Sequence, residues 1–157
     1  MFKIYNMITI EEFKKKQTIK SRLLGLDLGR KRIGVAICDD EQVVATPYKT
    51  IIKDNFDQFL NDLKLIIKDN NIGGIIVGNP INMDGSFGSS SQSVNDTVNL
   101  LSKNITLPIA LWDERLSSVG AYKMTSLLDI KAAKKMKSID KNAAAFILQG
   151  AIDFIRN

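Results

Sequence analysis

The chain has 157 residues, 45% of them hydrophobic, which is enough for one domain with a substantial core. Its 22 Lys and Arg residues against 17 Asp and Glu residues give a net charge of +5, which is compatible with a polyanionic partner. The sequence contains no run of about 18 apolar residues, so it predicts no membrane span. The one cysteine, Cys38, cannot form an internal disulfide, which fits the reducing cytoplasm. Histidine is absent, which excludes Ser-His and Cys-His nucleophilic pairs and histidine-ligated zinc, so oxygen ligands would favour Mg²⁺ or Mn²⁺ at any metal site.

Residues 1–21 form a basic N-terminal extension that precedes a predicted domain over residues 22–157. Thr9 and Glu12 have the spacing of a helix-capping box, so a short helix is expected from Ile10 to about Lys16. The segment is interpreted as a basic appendage, and a solvated tail is the favoured form of it.

The next segment predicts an antiparallel meander. Residues 23–29 and 32–38 are apolar runs joined by a turn that carries Arg30, Lys31 and Arg32, a pattern typical of a β-hairpin, and a third strand is expected over 42–51. The first strand contains Asp27. A buried carboxylate is costly unless a partner compensates it. Asp27 is therefore either a functional residue, typically stabilised by a metal ion, or a side chain that hydrogen-bonds a nearby turn amide.

The second half of the chain alternates helices and strands. Apolar residues recur at helical spacing over 55–69, and residues 72–77 are a short apolar run typical of a buried parallel strand. After a Gly-, Ser- and Asn-rich loop, the pattern predicts a helix at about 92–103, a strand at 108–112, and helices at 116–128 and 139–155. This order predicts one α/β domain with a mixed five-stranded sheet and helices on both faces.

Two further carboxylates lie where solvation alone does not explain them. Glu114 follows the strand that ends at Trp112, and the carboxyl ends of parallel strands are where ligands bind. Asp113 is expected to point the opposite way. Asp140 is expected in the first turn of the last helix, where the helix dipole alone explains an acidic residue. Acidic residues from distant parts of a fold become favourable neighbours when divalent cations lie between them, as in two-metal phosphoryl-transfer sites.

Cations and neutral donors near these carboxylates are candidates for phosphate binding. A solvated turn is an equally good explanation of Lys31. The predicted nucleic-acid contacts are Arg30, Lys31, Arg32, Asn79, Asn82, Arg115, Lys134 and Lys135.

Four stretches carry a family resemblance: LGLDLG (24–29) with RIGVA (32–36), VGNP (77–80) with NMDG (82–85), DERLSS (113–118), and IDKNAAAFILQ (139–149). Together they resemble the YqgF family, RuvC-like proteins described as pre-16S rRNA nucleases or Holliday junction resolvase homologues. The resemblance implies an RNase H-like fold and a metal-dependent nuclease that processes the 5′ end of pre-16S rRNA in ribosome biogenesis. It also implies that Asp27, Glu114 and Asp140 are the catalytic set that binds Mg²⁺ or Mn²⁺.

Three other activities stay open. A Holliday junction resolvase would use the same chemistry on four-way DNA junctions, and symmetric cutting requires a dimer. A non-catalytic RNA-binding ribosome-assembly factor would keep the fold without turnover. An ATPase of the actin and sugar-kinase type has a similar phosphate hairpin, but it needs two lobes. The expected partner is nucleic acid, with pre-rRNA preferred over branched DNA, and the chain is expected to be a cytoplasmic monomer or homodimer with no membrane association.

Overall fold

The computed structural model describes residues 6–15, 21–82, 84–116 and 142–157. Residues 117–128 of the helix expected at 116–128 lie outside the described residues, as do Asp140 and the basic segment with Lys134 and Lys135. None of the described helices is long and apolar enough to cross a membrane.

Apart from β1, which was not predicted, the described elements follow the predicted order. They are β1 (Met7–Ile8), α1 (Ile10–Lys15), β2 (Arg22–Leu28), β3 (Arg32–Cys38), β4 (Ala45–Ile52), α2 (Phe56–Asp69), β5 (Ile72–Asn79), α3 (Ser89–Asn104), β6 (Ile109–Asp113), a 3₁₀ turn (Glu114–Leu116) and α4 (Ala143–Arg156).

The described strands form one mixed sheet in the order β1-β6-β5-β2-β3-β4. β2, β3 and β4 are the predicted antiparallel meander, and β5 and β6 run parallel to β2. The expected count of five strands is corrected to six, because Met7 and Ile8 pair in parallel with β6. Asn6 anchors this added strand: its side chain donates to Ile105 O at 2.6 Å, and its carbonyl accepts from Ile109 N–H at 2.7 Å.

Helices cover both faces of the sheet, as predicted, because successive strand residues alternate between the faces. On one face, Leu24, Leu26 and Val77 pack against α2 and α3, and all three are fully buried. On the other face, Leu23 and Ile76 pack against α1 and α4. Parallel strands buried on both faces require the near-continuous apolar runs that β2 and β5 show.

Helix α4 packs so closely on the sheet that β2 has room only for a glycine at position 25. A Cβ atom added to Gly25 would lie 2.7 Å from Leu148 Cβ and 3.0 Å from Ala144 O. Helix α4 contributes small side chains at this contact, since its first three residues are alanines. The close approach brings the N-terminal turn of α4 against the carboxyl-terminal half of β2, which is where Asp27 lies.

Helix α1 belongs to the folded core. The predicted capping box is confirmed, since Glu12 N–H donates to Thr9 Oγ1 at 3.1 Å and Thr9 Oγ1 donates to Glu12 Oε1 at 3.2 Å. Phe13 is 6% exposed, and its ring occupies the space that a side chain at Gly74 would need. The interpretation of this part of the extension as a solvated tail is therefore wrong for residues 7–15.

Truncating Phe13 tests the contribution of α1 to stability. We expect Phe13→Ala to lower the free energy of unfolding by about 3 kcal/mol, because a buried aromatic side chain is lost and a cavity remains. Urea denaturation monitored by circular dichroism measures this difference. Phe87→Ala is the matched control, since Phe87 is 70% exposed and its removal should change stability little. Equal stability of the two variants would contradict the placement of α1 in the core.

Candidate active site

Asp27 lies near the carboxyl end of β2, on the face that α4 covers. It pairs with Gly34 of β3, and a Cβ atom added to Gly34 would lie 3.6 Å from Asp27 Cβ and 3.4 Å from Ala144 Cβ. Asp27 is therefore half-buried between the sheet and the first turn of α4. The N-terminus of a helix carries partial positive charge, so this position favours an ionised carboxylate.

Glu114 opens the 3₁₀ turn after β6 and is 7% exposed. A Cβ atom added to Gly78 would lie 3.4 Å from Glu114 Cδ and 2.5 Å from Ile147 Cδ1. The carboxyl group of Glu114 thus lies over Gly78, next to α4. A side chain at position 78 would collide with Ile147 and crowd Glu114, so glycine leaves the room that this carboxyl group occupies.

Strand β5, which contains Gly78, lies between β2, which carries Asp27, and β6, which precedes Glu114. In the parallel part of the sheet, Leu26 pairs with Val77 and Gly78 pairs with Trp112. Asp27 is the residue after Leu26, so it lies beside Gly78. Neighbouring strands are about 5 Å apart. Asp27 and the carboxyl group of Glu114, which are far apart in sequence, therefore both lie beside Gly78, at the carboxyl ends of the two strands that flank β5.

The donor set fits a divalent cation that prefers oxygen. Asp27 and Glu114 offer carboxylate oxygens, which Mg²⁺ and Mn²⁺ favour, and a cation is one of the partners that stabilise a buried carboxylate. Within the described residues there is no group of three His, Cys, Asp or Glu side chains that could hold a metal ion. The third predicted ligand, Asp140, lies outside them. The last helix, expected over 139–155, is described as α4 from Ala143.

Asp113 faces away from this pair and holds the 3₁₀ turn. Its carboxylate accepts from Arg115 Nη2 at 2.7 Å, from Arg115 Nε at 3.0 and 3.1 Å, and from the backbone N–H of Arg115 at 3.0 Å. The side-chain hydrogen bonds from Arg115 hold the pKa of Asp113 below its usual range. Most of the guanidinium of Arg115, a predicted phosphate contact, is therefore engaged by Asp113.

Those of the other predicted nucleic-acid contacts that the structure describes are distributed around the same end of the sheet. Arg30, Lys31 and Arg32 are exposed in and beside the turn between β2 and β3, within five residues of Asp27. Gly29 permits this tight turn, because its N–H donates to Arg32 O at 3.0 Å and an added Cβ would lie 2.5 Å from that oxygen.

The two asparagines of the predicted loop have different environments. Asn79 is 6% exposed, and its Oδ1 accepts from Ser91 Oγ at 2.7 Å, so its side chain ties the end of β5 to α3 inside the fold. Asn82 is exposed and donates to Ser86 Oγ at 3.0 Å within a local turn. Asn82 thus remains at the surface, whereas Asn79 is engaged in the interior.

Sequence reasoning missed the residues that shape this end of the sheet. Gly78 was treated only as part of a turn-rich loop, although it is in β5 and its missing side chain makes room for Glu114. Ser89 and Ser90 were assigned to that loop, but they open α3. The signal for the serines was their position just before a run with helical spacing, and Gly78 had no comparable signal.

Comparison with known proteins decides the family. The RuvX family, described as "Holliday junction resolvase", matches residues 21–154. The chain belongs to the RuvX family, also called YqgF. The family resemblance seen in the four sequence stretches is confirmed. RuvX membership places the chain among the nucleases, hydrolases that act on phosphodiester bonds.

Relatives of the RuvX chain match nearly its full length. A Pelagibacter ubique protein named "Putative pre-16S rRNA nuclease" is 66% identical over 151 residues, which are 96% of this chain and 100% of the relative. A Chelativorans protein of the same name is 45% identical over 148 residues, covering 94% and 92% of the two chains.

A solved structure supports the RNase H-like fold of this RuvX chain. RuvC of Thermus thermophilus, bound to a Holliday junction substrate, superposes with a TM-score of 0.53 at 8% identity, covering 87% of this chain and 96% of that one. At this identity the likeness shows the fold alone. The predicted fold class is confirmed, with the sixth strand as its correction.

The pairing of Asp113 with Arg115 predicts a pH effect on stability. Because the pKa of Asp113 is lowered in the folded state, its contribution is present above the unfolded-state pKa of about 3.9 and is lost as pH falls below it. We expect Asp113→Asn to lower stability by about 1 kcal/mol at pH 7 and to flatten the stability loss between about pH 4.5 and 3. Chemical denaturation at each pH measures both effects.

Asp54→Asn is the control for this prediction. Asp54 is exposed and, among the described residues, forms no salt bridge. Its removal should leave the acid profile close to that of the wild type. A profile of Asp113→Asn that runs parallel to the wild-type profile would contradict the assigned role of the pair.

Proposed function

We propose that this protein is a Mg²⁺- or Mn²⁺-dependent nuclease that processes the 5′ end of pre-16S rRNA during ribosome biogenesis. The observation that carries the proposal is that Asp27 and the carboxyl group of Glu114 both lie beside Gly78, at the carboxyl ends of the two parallel strands that flank β5. The names of the curated relatives suggest the precursor rRNA.

Each residue of the proposed site has a distinct role. Asp27 and Glu114 would hold the metal ions, and Asp140 would complete the ligand set. When bound, a divalent cation supplies Lewis-acid stabilisation of the charge that develops on the phosphate. Helix α4 keeps Asp27 beside its N-terminal turn, and the salt bridge between Asp113 and Arg115 orients the turn that carries Glu114.

The substrate backbone would lie across the turn between β2 and β3. Arg30, Lys31 and Arg32 are exposed there and can bind successive phosphates, with Asn82 and the remaining donors of Arg115 on the other side of the site. Lys134 and Lys135 would extend this basic surface. Phosphate contacts position a strand without reading its sequence, so they suit both RNA and DNA.

A Holliday junction resolvase is the second candidate function. The description of the RuvX family favours it. Resolution needs two symmetric cuts and hence two copies of the site. We infer a monomer or homodimer, and a stable monomer in solution would favour the rRNA nuclease. The proposed location is the cytoplasm, where Cys38, a buried free thiol, would stay reduced.

Substitution of the carboxylates tests the proposed site. We expect Asp27→Asn and Glu114→Gln each to reduce cleavage of precursor 16S rRNA by about 10²-fold or more, because each variant removes charge where the metal would bind. The assay uses precursor rRNA and four-way DNA junctions in parallel, with a series of Mg²⁺ and Mn²⁺ concentrations. Asp54→Asn serves as the matched carboxylate control and should cleave like the wild type.

Metal binding supplies the second measurement. Electron paramagnetic resonance with Mn²⁺ should show binding to the wild type and weaker binding to Asp27→Asn. Equal cleavage by wild type and Asp27→Asn would overturn the assignment. Mn²⁺ binding without cleavage of either substrate would instead indicate a non-catalytic RNA-binding factor.

A further inference from the structure

A cavity of about 290 Å³ opens beside the turn between β2 and β3, on the face of the sheet that α3 covers. Arg30 and Lys53 line it on the side of the sheet. Four hydroxyl side chains line it on the side of the helix: Ser89, Ser90, Ser93 and Thr97. The cavity is thus separate from Asp27 and Glu114, which lie on the face that α4 covers.

The charge of this cavity favours an anion. None of the described residues that line it carries a carboxylate, and Arg30 and Lys53 form no salt bridge within the described part of the chain. The backbone N–H of Lys53 donates to Lys31 O at 2.9 Å, which fixes the start of the Lys53 side chain against the turn. Two cations from separate segments therefore line one cavity with no carboxylate among its described lining residues, and this raises the local potential for anions.

The wall formed by α3 supplies neutral donors suited to phosphate. Ser89 and Ser93 are four residues apart, so their hydroxyl groups follow one side of the helix, whereas Thr97 Oγ1 donates to Ser93 O at 3.0 Å. Gly88 is the N-cap and offers no side-chain acceptor, and the first turn has no acidic residue. The first backbone N–H groups of the helix can then donate to a bound anion. Hydroxyls, backbone amides and cations together are the donors that proteins use for nucleic-acid phosphates.

The position of the cavity relates it to the proposed active site. Gly29 and Arg30 are two and three residues after Asp27 in the chain, and three residues span at most about 11 Å. A nucleic-acid strand whose scissile phosphate lies at Asp27 and Glu114 can therefore pass over the turn and place another phosphate in the cavity.

We propose that this cavity is a binding subsite for a backbone phosphate that flanks the scissile bond of the nucleic acid. The catalytic part of this statement rests on the proposed nuclease function, whereas binding of the strand can be measured without cleavage. Lys53, Ser90 and Ser93 are the residues that this subsite adds to the predicted interface.

Neutralising Lys53 tests the subsite. Binding of a fluorescent single-stranded RNA oligonucleotide is measured by anisotropy in the presence of EDTA over a series of salt concentrations. We expect Lys53→Gln to weaken binding about three- to fivefold and to reduce the salt slope by about one, because one phosphate contact is lost. Lys64→Gln removes the same charge from the exposed surface of α2 and should bind like the wild type. Equal affinity of the two variants would overturn the proposal.

A second variant separates binding from folding. Ser90→Asp places a negative charge in the first turn of α3, where the helix dipole favours it, and also in the cavity. We expect thermal stability to be kept or increased while RNA affinity falls by more than in Lys53→Gln. Unchanged affinity in this folded variant would contradict a phosphate subsite.

Nuclear magnetic resonance identifies the source of the phosphate. The backbone amides of Ser89 and Ser90 should shift on addition of the RNA oligonucleotide, and inorganic phosphate should fail to compete at equal phosphate concentration. Competition by inorganic phosphate at that concentration would identify a free-phosphate site and overturn the backbone assignment. If the wild type cleaves no substrate but Lys53→Gln binds RNA more weakly than Lys64→Gln, the nuclease proposal fails and the binding subsite stands.

Discussion

The close packing of α4 on β2 and β5 is the constraint on which the rest of the structure depends. Gly25 and Gly78 have no side chains to hold the helix away, and Leu148 and Ile147 fill the space above them. Overpacking such a contact typically costs about 1–3 kcal/mol. A side chain at either glycine would also change the position of α4, because any outward shift of the helix would move its N-terminal turn away from Asp27.

This packing explains why the candidate functional residues are concentrated at one end of the sheet. The apolar residues of β2 and β5 are covered on both faces, which leaves polar groups only where the strands end. At that end, the face of α4 receives the two carboxylates, the turn carries the cations, and the face of α3 receives a hydroxyl-lined cavity. The arrangement follows the general rule that ligands bind outside the carboxyl ends of parallel strands.

Much of this fold could be predicted because its signals are local. Strand β3 was expected over 32–38 and is found there, since its apolar run is bounded by a charged turn at each end. Helix α2 begins after Asn55, whose Oδ1 accepts from Gln58 N–H at 2.8 Å. Caps, turns and apolar periodicity act within a few residues, so a single sequence contains them.

The errors arise where distant segments determine the structure. Strand β1 has two residues, too few to show a pattern, and it exists because β6 offers an unpaired edge. Helix α3 starts three residues earlier than expected, because Gly88 caps it and the serines that follow are usual in loops. Asn79 has the composition of a surface donor, yet its bond to Ser91 places it inside the fold.

The candidate site shows the same division between local and distant information. Asp27 is conspicuous in the sequence because a carboxylate in an apolar strand requires a partner. Glu114 is conspicuous because it directly follows an apolar strand, where ligands bind in parallel sheets. Their common position beside β5 depends on Gly78, a residue type that in a strand usually indicates a weak or irregular point. In this fold the missing side chain provides the space that the carboxyl group of Glu114 occupies, beside the strand that carries Asp27. The acidic residues could be recognised from their local sequence, whereas the space that Gly78 leaves between their strands could be recognised only from the fold.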